Sequence, residues 1–367
     1  MAQKMLAYIK QQPAVWAAMT ETRRAGFQRL RDAFAQRPAK RILIIGSGSS
    51  YNAAEMAAEF FTEALGVETQ ALAPTRLSAL PGLLDPASTL VFAASQTGRS
   101  TSTLAAVKVL QKKGFPVVAV TAVEDCPLVR ACEWRQPIAC GEETVGPKTK
   151  GQTSTVLTLY LAGMALCRAW GALSEKREEE LAQALMAAFA AAPENIGRCC
   201  EFVEKHVGLL ASKPCFTLIA DGPGYPMIKE GALKILETLS VSAAPYEFEE
   251  YLHGVNHTIA PGVCNFVVPF LPENLERMKR MNDYCEAHGC DNFVVTAAPW
   301  AKGERVLKLK GSGSPYTAPF ETLLFFQVVS VYGSEAKGIA CDEPRLLDFY
   351  QSLDTKAQDE GSTEWKG

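Results

Sequence analysis

Apolar residues in this chain gather into short unbroken runs. Each run ends in a cluster of small polar residues before an amphipathic stretch begins. "RILIIGSGSS" (41–50) is the first example, and the absence of alternation in its apolar part predicts a strand buried on both faces. "YNAAEMAAEFFTEALG" (51–66) follows with helical spacing. "TLVFAASQTGRS" (89–100) repeats the design and leads into a helix at 101–113, and "FPVVAVTA" (115–122) is a third strand. Residues 1–38 read as helix and end in the basic turn "RPAKR". Strands alternating with helices predict an α/β fold with a parallel sheet covered on both faces.

The pattern recurs after an Ala-rich helical region at 152–192. "PCFTLIADGPG" (214–224) is again a strand ending in glycines, with a helix expected at 225–242. "CNFVVPFL" and "DNFVVTAA" are further strands around a helix at 273–288, and 318–338 is a long apolar helix. The chain is therefore expected to hold two α/β halves of similar element order, split near 193–212. The expected parts are a helical segment 1–38, a first domain 39–192, a second domain 193–345 and a tail 346–367. The repeat lies in the order of elements and not in residue identity.

Composition narrows the classes. Of 367 residues, 48% are hydrophobic and the mean hydropathy is zero, which fits a globular protein of two ordinary domains. The net charge of −3 gives no reason to expect a nucleic-acid or membrane partner. No segment reaches the roughly 18–20 apolar residues of a membrane helix. Eleven scattered cysteines without a CxxC, and only four histidines, support neither a disulfide framework nor a zinc cluster. Reduced thiols in a cytoplasmic setting are expected, with no metal or other cofactor.

Two turns carry candidate chemistry. Ser47-Gly48-Ser49-Ser50 follows the first strand, and Ser95-Gln96-Thr97-Gly98 with Ser100 follows the next apolar run. In open α/β sheets, ligands sit beyond the carboxyl ends of strands, where helix N-termini present free N–H groups. Small hydroxyl residues there suit phosphate. Neither turn is a P-loop and "GSGSSYNA" is not GxGxxG, so a nucleotide is not indicated. The competing reading is helix capping by serine.

The helix at 225–242 carries the third candidate. Ile228, Ala232, Ile235 and Leu239 form an apolar stripe, with Glu230, Lys234 and Glu237 clustered on the opposite face. That cluster is either a solvated face with an i,i+4 pair or a proton-transfer group at a crevice. His253 follows a short loop later.

Taken together, these motifs resemble the tandem sugar-isomerase (SIS) domain family. The resemblance is strongest to the isomerase half of glutamine–fructose-6-phosphate aminotransferase and to the fructosamine 6-phosphate deglycases, and it runs over nearly the whole chain. "GSGSSYNAAEMAAEFF" and "SQTGRSTSTL" are similar to the family's sugar-phosphate segments, and "GEETVGPKTKGQT" to its Glu-x-x-x-x-Ser-Thr-Lys loop, ending at Lys150. "GYPMIKEGALKILETLS", "EEYLHG" and "GIACDEPRLL" match the catalytic helix, the His-Gly segment and the Asp-x-Pro-Arg ending, which keeps Arg345.

The resemblance implies two flavodoxin-like three-layer αβα domains. It implies that Ser49, Ser50, Ser95, Gln96, Thr97 and Ser100 bind a sugar phosphate, with Ser47, Gly48, Lys150 and Arg345 in the same binding set. It implies Glu237 as acid/base for a C1–C2 proton shift, with Lys234 lining the same site. His253 would assist ring opening from the neighbouring subunit of a homodimer or larger homo-oligomer.

Several positions depart from the family pattern. Position 2 is Ala, so a glutaminase nucleophile is absent there; the lysine of the aminotransferase tail aligns with Phe349; and Arg99 stands where Glu is frequent. The expectation is therefore a deglycase acting on a 6-phosphorylated sugar–amine adduct of the fructoselysine 6-phosphate type. A glucoselysine 6-phosphate deglycase and an ammonia-dependent glucosamine-6-phosphate deaminase or isomerase are the neighbouring readings. A non-catalytic sugar-phosphate-binding regulator is the distant one.

Overall fold

The computed structural model describes residues 3–357 apart from 80, 81, 83, 297, 299, 312, 313, 315 and 344. The chain packs as two compact units, Ala14–Gln183 with Pro344–Gly367, and Ala184–Glu343 with Met1–Pro13. The first, hereafter the hydroxyl unit, holds β1 (Arg41–Ile45), β2 (Glu68–Leu72), β3 (Thr89–Ala94), β4 (Val117–Thr121) and β5 (Trp134–Pro137). They form one parallel sheet in the order β2-β1-β3-β4-β5. The second, the carboxylate unit, holds β6 (Cys215–Ala220), β7 (Ser242–Glu247), β8 (Cys264–Val268), β9 (Asp291–Val295) and β10 (Val306–Leu307). Its order, β10-β9-β8-β6-β7, is again parallel. Counted from its own first strand, each sheet has the order 2-1-3-4-5, the flavodoxin-like arrangement. The expected α/β class and its repetition are both present.

Each sheet is fixed by helices that approach closely. In the hydroxyl unit, helix Ser49–Leu65 lies on helix Lys150–Ala169, with Phe60 and Tyr160 stacked at 3.9 Å. Gly163 makes room, since a Cβ there would lie 2.6 Å from Cζ of Phe61. In the carboxylate unit, helix Gly224–Leu239 lies on helix Leu323–Ala336. Phe326 packs over Gly231 and Leu239 over Gly333, where Cβ atoms would lie 2.6 and 2.8 Å from those side chains. The stripe Ile228, Ala232, Ile235 and Leu239 is buried, as its period requires. Each such aliphatic side chain larger than Ala contributes on the order of 1.5–3 kcal/mol by leaving water.

Four features differ from the pattern read along the chain. The edge strands β2, β5, β7 and β10 were not anticipated, because an edge strand needs no continuous apolar run; β2 reads Glu-Thr-Gln-Ala-Leu. The Ala-rich region is two helices, Lys150–Ala169 and Glu175–Ser212, separated where Gly171 adopts φ +73°. The stretch 193–212, where the split was expected, lies inside the second of these helices, and the units divide at 183/184. Pro193 is accommodated within that helix. Residues 1–38 are shared between the two units, and the tail residues join the hydroxyl unit.

The N-terminal helix Gln3–Glu21 is tied to the far end of the chain. The Asp342 carboxylate accepts from the N–H groups of Lys4 and Met5 at 3.0 and 3.1 Å. Gln12 donates to Gln327 at 2.7 Å. Among the described residues, no helix is long and apolar enough to cross a membrane.

Candidate active site

In a sheet of order 2-1-3-4-5, the connections from the first and third strands leave in opposite directions and open a crevice at their carboxyl ends. In the hydroxyl unit this point lies between β1 and β3, and both serine-bearing turns sit there. Gly46 is pressed against the Ser50 backbone, where a Cβ would lie 2.8 Å from the carbonyl carbon, and Gly48 has φ +57°. Together they turn the chain sharply into the helix that starts at Ser49. Ser47 and Gly48 are exposed, while Ser49 and Ser50 are half-buried.

The two turns are linked by hydroxyls. Ser47 and Ser102 Oγ atoms lie 3.2 Å apart, as do those of Ser102 and Ser100. Thr103 donates its hydroxyl to Ser100 Oγ at 3.0 Å. Ser100 also accepts from the Thr103 N–H at 3.4 Å, so it caps helix Thr101–Lys112 and belongs to the hydroxyl chain at once. Ser95 is buried, and its N–H donates to the Val120 carbonyl. The Thr97 hydroxyl is buried with no hydrogen-bond partner. Such an orphan costs free energy unless a ligand or water meets it.

Gln96 is held from below. Its side chain lies flat on Gly151, where a Cβ would come within 1.7 Å of Nε2, and it donates to Glu143 at 3.5 Å. Glu143 organises the loop before helix Lys150–Ala169. One oxygen accepts from the Thr149 N–H, the Thr149 hydroxyl and the Lys150 N–H at 2.8–3.1 Å, and the other accepts from the Gly151 N–H at 2.8 Å. A carboxylate satisfying the first-turn N–H groups is favourable at a helix N-terminus. Lys150 is buried, and its ammonium donates to the Glu142 carbonyl at 2.8 Å. Lys148 stands at the serine place of the Glu-x-x-x-x-Ser-Thr-Lys pattern and donates to the Glu143 carbonyl at 2.6 Å.

The carboxylate unit fills the corresponding point itself. Asp221 follows β6 and accepts from the N–H groups of Phe270 and Leu271, after β8, at 2.7 and 3.1 Å, and from Asn274 at 3.1 Å. Burial lifts this carboxyl above its usual range, against the pull of those donors. One unit thus spans its crevice with its own acid, and the other lines it with hydroxyls.

Helix Gly224–Leu239 carries the polar triad. Lys234 is 1% exposed, with its Nζ 3.4 Å from Glu230 and 2.5 Å from Glu237. Burial alone would lower the Lys234 pKa, but the Glu237 and Glu230 carboxylates outweigh it and raise the value above the ordinary lysine range. The solvated-face reading is excluded for Glu230 and Lys234. Glu237, 32% exposed, is the member of the triad that reaches solvent. Its carboxylate is oriented by a buried cation and can take up or release a proton at the surface of the unit. His253 ends the short helix Phe248–Leu252 and is exposed, with no hydrogen-bond partner for its ring among the described residues. Arg345 is exposed just ahead of helix Leu347–Ser352.

Two groups in the hydroxyl unit escaped the sequence reading. Glu143 could have been found from its place in the loop pattern. The tail residues 355–357 could not, since nothing local marks them. They run antiparallel to 99–101: Thr101 N–H donates to the Thr355 carbonyl at 3.3 Å, and Ala357 N–H to the Arg99 carbonyl at 2.8 Å. The Arg99 guanidinium returns a bond to the Ala357 carbonyl at 3.2 Å.

Residues 37–168 match the SIS domain model, so the hydroxyl unit carries a SIS domain. Glutamine–fructose-6-phosphate aminotransferase [isomerizing] of Legionella pneumophila (strain Paris) is 27% identical over 354 residues, covering 94% of this chain and 57% of that protein. The chain thus spans somewhat more than half the length of the curated relatives it matches. The C-terminal domain of glucosamine-fructose-6-phosphate aminotransferase from Francisella tularensis superimposes with a TM-score of 0.84 at 20% identity, over 93% of this chain and 98% of that one. Glucosamine-6-phosphate deaminase from Thermotoga maritima does so with a TM-score of 0.72 at 21% identity, over 94% and 98%. The chain shares its fold with both of these proteins.

Proposed function

We propose that the protein is a deglycase that cleaves a 6-phosphorylated sugar–amine adduct, of the fructoselysine 6-phosphate type, to glucose 6-phosphate and the free amine. The observation that carries the reading is the pairing of Glu237 with a buried Lys234, which holds one solvent-reaching carboxylate ready for proton transfer. The open hydroxyl crevice of Ser47, Thr97 and Ser100 supports recognition of the phosphate. The match to a protein named glutamine–fructose-6-phosphate aminotransferase [isomerizing] supports the sugar class.

In this reading His253 helps open the sugar ring, acting from a partner subunit in a homodimer or larger assembly. Its exposure and the lack of a partner for its ring are compatible with that role. Glu237 removes a proton from C1 while the C2 carbonyl oxygen gains one, giving an enaminol. The proton returns to C2, and the nitrogen loses its own to leave a Schiff base at C1. Water adds to that carbon and the amine departs. Binding energy from the phosphate orients the two reacting carbons.

The test is release of glucose 6-phosphate from fructoselysine 6-phosphate by the purified protein in a coupled assay, with glucosamine 6-phosphate alongside. Release from the adduct alone establishes the deglycase. Turnover of glucosamine 6-phosphate alone would replace it with a deaminase, the reading favoured by the likeness to the Thermotoga maritima enzyme.

A further inference from the structure

The tail carries a lysine onto the second hydroxyl turn. Lys356 lies opposite Ser100 in the antiparallel bridge, fixed on either side by the backbone bonds of Thr355 and Ala357. It is half-buried, and the charged group that acts on it is a second cation, Lys148. Among the described residues, no carboxylate acts on Lys356. Lys148 donates to the Glu143 carbonyl at 2.6 Å. A half-buried ammonium beside a second cation is unfavourable unless an anion meets it. The turn that Lys356 bridges holds Ser100, at one end of the serine hydroxyl chain, and Thr97, whose orphaned hydroxyl can donate to such an anion. The corresponding point of the carboxylate unit is spanned by the acid of Asp221. The hydroxyl unit has no such internal acid between its two turns among the described contacts, and it presents cations and hydroxyls instead.

We propose that Lys356 supplies the positive charge that binds the phosphoryl group of the sugar phosphate, so that the tail completes the site. This rests on the reading of the hydroxyl turns as the phosphate site and adds to it a residue from outside both turns. Burial, and then the Lys148 charge, hold the Lys356 ammonium below the usual lysine range, a state that a bound dianion would reverse.

The test is calorimetric binding of glucose 6-phosphate and of inorganic phosphate to the full chain and to its K356M, K356R and T97V variants. K356M should weaken both ligands about tenfold or more, as for a lost hydrogen bond between charged groups. K356R should stay within about threefold of wild type. Loss of binding in T97V with K356M unchanged would overturn the role of Lys356 and leave the phosphate reading standing. Equal loss in K356M and K356R would reduce the lysine to a structural fastening of the tail. No binding to the wild type would overturn both readings. Amine labelling of the wild-type chain gives a measurement free of folding effects: inorganic phosphate should shield Lys356 from acylation. Shielding by acetate and not by phosphate would mean that a carboxylate sits there, and would overturn the proposal.

Discussion

The Lys234 ammonium lies 2.5 Å from Oε2 of Glu237, on the same helix and out of contact with water. A buried cation committed to two carboxylates cannot leave without stranding both charges. Lys234→Met should therefore destabilise the protein by about 3–5 kcal/mol, as for a broken buried pair. Urea unfolding measures this, and adding Glu230→Gln should restore part of the loss. Because the folded pKa of Lys234 is raised, its contribution is complete below the ordinary lysine value and fades only as pH climbs through the folded one. The stability that this group confers should accordingly not vary with pH near neutrality.

Glu237→Gln keeps the shape of the side chain and removes its basicity. Turnover of the sugar phosphate should fall by roughly 10²–10⁴-fold, with binding little changed. Deuterium exchange into the sugar at C1 or C2, followed by NMR, isolates the proton step. Exchange at the wild-type rate would remove Glu237 from the chemistry.

Thr97→Val separates a structural hydroxyl from a binding one. The hydroxyl has no partner, so replacing it with a methyl group should leave the melting temperature unchanged or raise it. Affinity for a sugar phosphate should fall about tenfold if the hydroxyl donates to an anion. A drop in stability with affinity intact would assign it to the fold.

Gly151→Ala reaches the crevice from beneath. A Cβ 1.7 Å from Gln96 Nε2 must push that flexible side chain off its seat and away from Glu143. The expected result is a higher KM for the sugar phosphate with the helix intact by circular dichroism. Unaltered kinetics would show that Gln96 takes no part in binding.

Glu59 offers a pH signature away from both turns. Burial, followed by the charges of Glu63 and Glu55, pushes its pKa up to about 7. The folded state therefore holds this proton more tightly than the unfolded chain, and the associated stability is lost as pH rises through about 7. Glu59→Gln should be more stable than wild type at pH 8, with the advantage shrinking toward pH 5. Denaturation midpoints across that range check the sign.

The central strands were legible because β1, β3, β4, β6, β8 and β9 are covered on both faces and read as unbroken apolar runs. The edge strands lack that cover and leave no such trace. The hydroxyl turns were visible as serine and glycine at strand ends, but the same residues cap helices, as Ser100 does here. The partnerless state of the Thr97 hydroxyl depends on packing and could be seen only in the fold. The polar stripe Glu230, Lys234, Glu237 was visible as a spacing, but the same spacing suits a solvated helix, and only burial separates the two. Lys356 lay beyond sequence reasoning altogether, since its bridge to Ser100 spans 256 positions of chain.

The tie between Asp342 and the N–H groups of Lys4 and Met5 also bears on how the protein is made. The partners are 338 and 337 positions apart, so on the ribosome the first helix emerges long before its cap exists. At roughly 5–20 residues per second, the apolar side chains of Met5 and Ile9 wait tens of seconds for the strands and helices that will cover them. The carboxylate unit therefore cannot finish folding until Asp342 has left the ribosome. Until then the apolar face of helix Gln3–Glu21 stays uncovered, a hydrophobic surface open to other nascent chains or to a chaperone.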